Sequence, residues 1–502
     1  MSVFVDIPLG TPIPASPHAV SVSLPTMRSV RGYEEKDPEI TRKLQLGYPR
    51  FVVNPFNASL AQEFAPAHPG RKIWLVSSGP MAAHLAEYLN QGAPGSAASF
   101  ENHGVHGVAH ADTAELFGKA KQYLQHIGGF LSSREAEDHL VRRGKRSRAE
   151  PEPLFAGNAD AEVRRHLRPV LPGAKDEDIF LASNGMNAVY AAFRAVGDAQ
   201  AARGRNEWIQ LGWLYLDSIA ILKKFNGAGA YHHLKDPFDL DGLEALLRDR
   251  GSRIAGLVTE MPTNPLIQTP NAERLADLCR RHGIALILDP SVSSAFNANL
   301  LPFADIVVCS LTKYTGSAGD VLSGFAAVNR TRPDAALYRE GLRQWLEPVY
   351  ARDVARLASQ IGDTRKVLSQ INASTPEVEG FLRGHPAVAE VYWALKRPSQ
   401  DNYRHLQHPG GGPGGMISFV VKGDLATFYD PLRLPKGPSF GMSTTLICPF
   451  MYLAHYDLIT SAAGRAELAA SHLSPDLLRL CVGTEPVDEI IGALDEALAR
   501  LL

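Results

Sequence analysis

Cysteine is scarce in this chain: four residues in 502, none in a CxxC spacing. That excludes a disulfide framework and the common zinc-site patterns, and it fits a reducing cytoplasm. Charge of one sign is lacking too, with a net of −2 from 51 basic and 53 acidic side chains. A nucleic-acid partner would call for a basic face, so none is expected. The strongest basic run, Arg142-Arg143-Gly144-Lys145-Arg146, is short and reads as a solvated helix end. No apolar run approaches the roughly 20 residues of a membrane span, so no membrane partner is expected. Met1 to Leu9 lacks the charged-then-apolar order of a secretory signal. No internal repeat is visible. No GxGxxG follows a strand, which argues against a dinucleotide-dependent oxidoreductase.

What is present is alternation. Between residues 154 and 329, short apolar runs take turns with helix-period segments. The runs are 179–181, 254–258, 284–288 and 305–308, with helical patterns over 186–196 and 272–282. Near-continuous apolar strands alternating with helices imply an α/β fold with a mainly parallel sheet covered on both faces. A chain of this length outgrows a single core, which rarely exceeds about 250–300 residues. We therefore divide it into an N-terminal region (1–150), a large α/β domain (151–345) and a smaller α+β C-terminal domain (346–502). Residues 19–24 read as a strand and 111–125 as a helix. The charged, proline-punctuated stretch 142–153 reads as a linker, and Gly410 to Gly415 as a flexible loop before a strand at 416–421. The last amphipathic helix covers 487–502.

Four local patterns carry chemistry. Ser310-Leu311-Thr312-Lys313 follows an apolar strand. Burial there would lower the lysine pKa and supply the neutral amine that condensation with an aldehyde requires, while two flanking hydroxyls could share an anion. Taken alone, Lys313 could equally be a lysine in a strand-to-loop turn. Asp289 ends the preceding strand, where carboxyl ends of parallel strands open onto a ligand crevice. Ser183-Asn184-Gly185-Met186 joins a strand to a helix, and its backbone amides could meet a phosphate. Glu260-Met261-Pro262-Thr263-Asn264 closes a further strand, and Asn264 there could be a donor or a turn residue.

In this order the four patterns are similar to the Cys/Met-metabolism pyridoxal-phosphate enzymes of fold type I, and among them to the long fungal-type cystathionine γ-synthases. Further matching segments are His18-Ala19-Val20-Ser21-Val22, Gly47-Tyr48-Pro49-Arg50-Phe51, Tyr215-Leu216-Asp217-Ser218, Leu301-Pro302-Phe303-Ala304-Asp305 and Arg479-Leu480-Cys481-Val482-Gly483. The resemblance implies a seven-stranded-type sheet and pyridoxal 5′-phosphate as cofactor. Lys313 would be the Schiff-base lysine and proton shuttle, and Asp289 the partner of the ring nitrogen. The phosphate would rest on Gly185, Met186, Ser310 and Thr312. Asn264 would touch the phenolic oxygen, with Glu260 behind it, and Tyr215 would stack on the ring and assist proton transfer. Arg479 would bind the substrate carboxylate, and Ser443 lies in the segment expected to approach the lysine.

The implied reaction is γ-replacement through a vinylglycine ketimine. The donor would be an O-acyl-homoserine or S-adenosylmethionine, and the nucleophile a small thiol or carbon acid. A carbon–carbon bond-forming version and simple γ- or β-elimination are the alternatives. The family builds its sites between subunits, so a homodimer or homotetramer is expected. One departure stands out: where the fungal-type proteins carry Tyr-Gly-Arg-Asn, this chain has Phe155-Ala156-Gly157-Asn158. The tyrosine and arginine that would clamp the phosphate are gone, leaving Arg134 or Arg50 to take over. Two upstream copies of family patterns, Ser77-Ser78-Gly79-Pro80-Met81 and Tyr48-Pro49-Arg50, are read as belonging to the N-terminal region and not to the site.

Overall fold

A computed structural model describes residues 4–48, 52–227 and 229–502. Its centre is a seven-stranded sheet running in space Ile179–Ala182, Gly324–Val328, Ile306–Ser310, Ala285–Asp289, Ile254–Glu260, Glu207–Leu211 and Tyr231–Leu234. Gly324–Val328 is antiparallel to both neighbours; every other pairing is parallel. Ile254–Glu260 is buried along its whole length, which is why it reads as an apolar run without alternation. Three strands escaped the sequence pattern: Glu207–Leu211, Tyr231–Leu234 and Gly324–Val328. Helix Gly185–Ala201 crosses one face, started by the Asn184 side chain, which accepts from the Asn187 amide.

A four-stranded antiparallel sheet follows in the order Val388–Trp393, Met416–Val421, Leu478–Cys481 and Leu446–Pro449. The glycine run before Met416–Val421 is tightly packed, contrary to the expected flexible loop. A Cβ on Gly411 would lie 2.6 Å from the Asn297 carbonyl oxygen, and one on Gly415 2.6 Å from that of Val482. These glycines let two backbones touch.

The N-terminal region holds more order than its composition implied. Arg71–Val76, Val105–Ala111 and Ala97–Asn102 form an antiparallel sheet. Helix Ala114–Ile127 shares one apolar cluster with helix Gly185–Ala201. Residues 4–48, ahead of this sheet, form a strap. Only Ser21–Val22 of the expected 19–24 strand is paired, to Pro12–Ile13. Val22, Leu24, Met27 and Val30 pack into the core of the C-terminal sheet beside Ile417 and Leu480.

The stretch expected to be a linker is pinned by buried charge. Arg134 donates to both oxygens of Glu152 and, at 3.0 Å, to Asp353, with its side chain 1% exposed. Arg352 joins Glu137, Asp138 and Glu152, and Arg356 donates to the Pro153 carbonyl. Removing one member of such a buried network leaves the other charges uncompensated. Arg134→Ala should therefore cost about 3–5 kcal/mol of stability, read as a lower urea midpoint with an unchanged slope. The basic run after it is a paired helix end, as read: Lys145 meets Glu63 and Arg146 meets Glu150. No helix among the described residues is long and apolar enough to cross a membrane.

Candidate active site

Three parallel strands end side by side, at Glu260, Asp289 and Ser310, and Asp289 is the register partner of Glu260. Their carboxyl ends open onto a cavity that also takes in Gly185, Met186, Tyr215, Asn264, Lys313 and Arg479. Of the eleven residues singled out from the sequence, nine line this one cavity.

Lys313 sits one turn beyond the strand Ile306–Ser310. The turn is fixed by the Leu311 and Thr312 amides on the Ser323 carbonyl (2.9 and 3.2 Å) and by the Tyr314 amide on the Gly441 carbonyl (2.6 Å). Nζ donates to Ser439 Oγ at 2.6 Å. The rings of Phe440 and Tyr48 lie 4.9 and 5.2 Å from Nζ. Burial and, after it, the nearby Arg479 guanidinium bring the ammonium pKa down to about 7. A large fraction of neutral amine thus exists near pH 7, as a nucleophile and base require.

Asp289 accepts from the Ser291 amide at 2.7 Å, and burial pushes its carboxyl up to about 6. Glu260 is pushed well above the usual range, first by burial and then by the Asp289 charge. Glu260 Oε1 accepts from the Tyr215 amide at 2.6 Å, fixing the start of helix Leu216–Lys224. Arg479 donates through Nη1 to Asn264 Oδ1 and through Nη2 to the Ser439 carbonyl, both at 3.3 Å. Its guanidinium lies 4.6 Å from the ring of Phe450.

The residues present fit a phosphorylated cofactor. Ser310 Oγ is buried without a partner. Gly185 opens the helix directly beside it, so closely that a Cβ would lie 2.8 Å from Ser310 Cβ. An unpartnered hydroxyl at a helix N-terminus is a cradle for an anion. Asp289, without a described cation against it, suits a protonated ring nitrogen.

Two expected residues lie elsewhere. Thr312 turns inward, donating to the Ser323 carbonyl (3.3 Å) and accepting from its amide (3.1 Å), and does not line the cavity. Ser443 is also outside: its amide and carbonyl bind Ser317 and Thr484, while Ser439, four residues earlier, reaches Lys313. Arg134 is no phosphate clamp here, being held by Glu152 and Asp353. Arg50, with Pro49 and Phe51, lies outside the described residues. Asn158 caps helix Ala159–Leu167 away from the cavity, accepting from the Ala161 amide at 3.0 Å. Trp213 is core, donating to His455 Nε2 at 3.1 Å. Cys309 is buried with its thiol pushed up to about 12, an inert packing residue. Sequence reasoning missed Ser439, Phe440 and Phe450, and it assigned Tyr48 to a copy of a family pattern outside the site; that copy was the signal for it.

A lysine one turn past a buried strand, with a carboxylate at the end of the next, is the arrangement of fold type I pyridoxal-phosphate enzymes. The crystal structure of cystathionine γ-synthase from Xanthomonas oryzae pv. oryzae in complex with cystathionine has this fold. It matches with a TM-score of 0.59 over 69% of this chain and 86% of that one, at 22% identity. Residues 171–499 match the Cys/Met metabolism PLP-dependent enzyme family, and the chain belongs to it. It is 38% identical over 487 residues, 97% of both chains, to the L-2-amino-4-chloropent-4-enoate dechlorinase/desaturase of Streptantibioticus cattleyicolor. It is also 28% identical over 98% of both chains to the cystathionine gamma-synthase of Neurospora crassa. The protein is a pyridoxal-phosphate enzyme of the γ-substitution and elimination class.

Proposed function

We propose that the enzyme expels a leaving group from Cγ of a small α-amino acid and ends in elimination, forming a new carbon–carbon π bond. The observation that carries this reading is the charge of the cavity. Arg479 is the one guanidinium lining it among the described residues, and the walls beyond Lys313 are Phe440, Phe450, Leu453 and Ala454. One guanidinium serves one carboxylate. A second amino acid such as cysteine would bring a further carboxylate and ammonium into an apolar wall, at the cost of burying unpaired charge. The sequence alone placed replacement first; this wall moves elimination ahead of it.

The bound cofactor supplies a conjugated ring that takes up the electron pair left when a Cα proton departs. Arg479 binds the substrate carboxylate, and its bond to Asn264 fixes the guanidinium plane. Asp289 holds the ring nitrogen in its cationic form. Lys313, oriented by Ser439, takes the proton from Cα and then one from Cβ, and the leaving group departs from Cγ with its bonding pair. Of the two protons taken, Lys313 returns one to the substrate carbons, so the net loss is one proton and one anion and no oxidant or reductant is needed. The relative from Streptantibioticus acts, by its name, on an amino acid with chlorine at this carbon, which supports a halide as leaving group. Replacement by a small uncharged nucleophile is the second reading, supported by the full-length likeness to a cystathionine gamma-synthase.

The test offers L-2-amino-4-chloropent-4-enoate and, separately, O-acetyl-homoserine, each with and without cysteine. Released chloride or acetate and the product mass are followed. Anion release without cysteine, with a product lighter by one HX, is the expected result. Release only with cysteine, and a thioether product, would establish replacement instead.

A further inference from the structure

We infer that the N-terminal strap is part of the catalytic centre and that its Tyr48 is a positioning residue for the Lys313 amine. The inference rests on Lys313 being the reacting lysine. Two independent sets of contacts carry it. First, the strap grips the loop that carries Ser439 and Phe440. Ser21 Oγ donates to the Pro438 carbonyl at 2.5 Å and the Leu24 amide to the Lys436 carbonyl at 2.9 Å. The Val20 amide reaches the Gly319 carbonyl at 2.9 Å, just beyond the lysine turn. Gly437 has no room for a side chain, since a Cβ would lie 2.5 Å from the Val22 carbonyl oxygen. The hydroxyl that accepts from Lys313 is therefore placed by residues more than 400 positions away in sequence.

Second, the end of the strap enters the cavity. Tyr48 lines it together with Lys313 and Phe440, and its ring centroid is 5.2 Å from Nζ. An aromatic face at that distance attracts a cation and leaves a neutral amine indifferent. Tyr48 and Phe440 thus favour the protonated lysine nitrogen, against burial and the Arg479 charge, which favour the neutral one. The other titratable groups around it are Cys481, on the same strand as Arg479, and, lining the cavity, Cys448, the Tyr215 phenol and the carboxyls of Glu260 and Asp289. Tyr48 sets the balance between the two protonation states that a proton-shuttling lysine must alternate between, and it keeps the amine turned toward Ser439.

The distinguishing readout is spectroscopic. The cofactor-loaded full chain is titrated between pH 5 and 10, and the midpoint of the visible band, which reports protonation of the lysine nitrogen, is compared across variants. Tyr48→Leu removes the ring face and should move the midpoint down by about half a pH unit. Tyr48→Phe keeps the face and should leave it in place. Tyr48→Trp, with the strongest face, should move it up, and it decides the matter if the leucine variant does not fold. A midpoint equal to wild type in both Tyr48→Leu and Tyr48→Trp would overturn the proposal. So would a Tyr48→Phe shift as large as that of Tyr48→Leu, which would make the phenol the active element. A wild-type chain that stays colourless with pyridoxal phosphate is a different result, and it would remove the role of Lys313 itself.

Discussion

Lys313→Ala should abolish turnover, by at least about four orders of magnitude, while the chain still folds. In the proposed reaction the amine has three tasks in one position: it would hold the cofactor covalently, remove the Cα proton and remove a Cβ proton. General base catalysis by one positioned group contributes typically 10²–10⁴-fold, and groups acting in sequence multiply. No other described amine lines the cavity, so nothing can take over. Alanine in place of a lysine whose charge is disfavoured by burial should not destabilise the fold, since it removes a group that the interior opposes. The expected result is an unshifted melting curve for the cofactor-free chain and no anion release from the γ-substituted amino acid. Retained turnover would move the chemistry to another residue.

Asp289→Asn should weaken the hold on the cofactor by about 30- to several thousand-fold, the range for truncating one partner of a buried charge pair. The carboxylate carries a pH signature as well. In the unliganded chain burial raises its pKa to about 6, so it is protonated below that pH and must lose a proton before it can face a cation. A raised carboxyl pKa stabilises the cofactor-free fold below the unfolded value near 4, and that stability fades as pH rises through about 6. Cofactor binding runs the opposite way and tightens over the same window. The phosphate group titrates in this range too, but equally in both proteins. The difference between wild type and Asp289→Asn, from equilibrium titration at pH 5 and pH 7.5, isolates the carboxylate. A wild-type-to-variant ratio that does not grow with pH would show that Asp289 faces no cation.

The parts of the site written in short runs were legible before any coordinates. Glu260, Asp289 and Ser310 each close a strand made of consecutive apolar residues, and a strand end fixes where its last side chain points. The parts set from afar were not. Ser439 and Ser443 are indistinguishable within an aperiodic loop, and the choice between them is made by Ser21 and Leu24. Thr312 has the spacing of a ligand, yet the backbone of Ser323 on the returning chain captures its hydroxyl. Arg134 looked available because Glu152 and Asp353 lie 18 and 219 residues away. The three-stranded sheet of the N-terminal region hid for another reason: Arg71–Val76 begins exposed and ends buried, so it shows neither strict alternation nor a full apolar run.

The strap has a consequence for how the molecule comes into being. Its apolar side chains pack against the chain beyond residue 400, and the Leu24 carbonyl accepts from the Tyr429 hydroxyl, 405 residues later. At about 5–20 residues per second, a ribosome needs roughly 20–80 s to cover that distance. During that interval the large sheet can fold on its own local order, while Val22, Leu24, Met27 and Val30 stay exposed to water and to chaperones. Catalytic competence is thus a late event in the life of each new chain. It arrives when the strap meets the C-terminal sheet, and a chain that stops before Arg479 leaves that sheet incomplete and lacks a residue of the cavity.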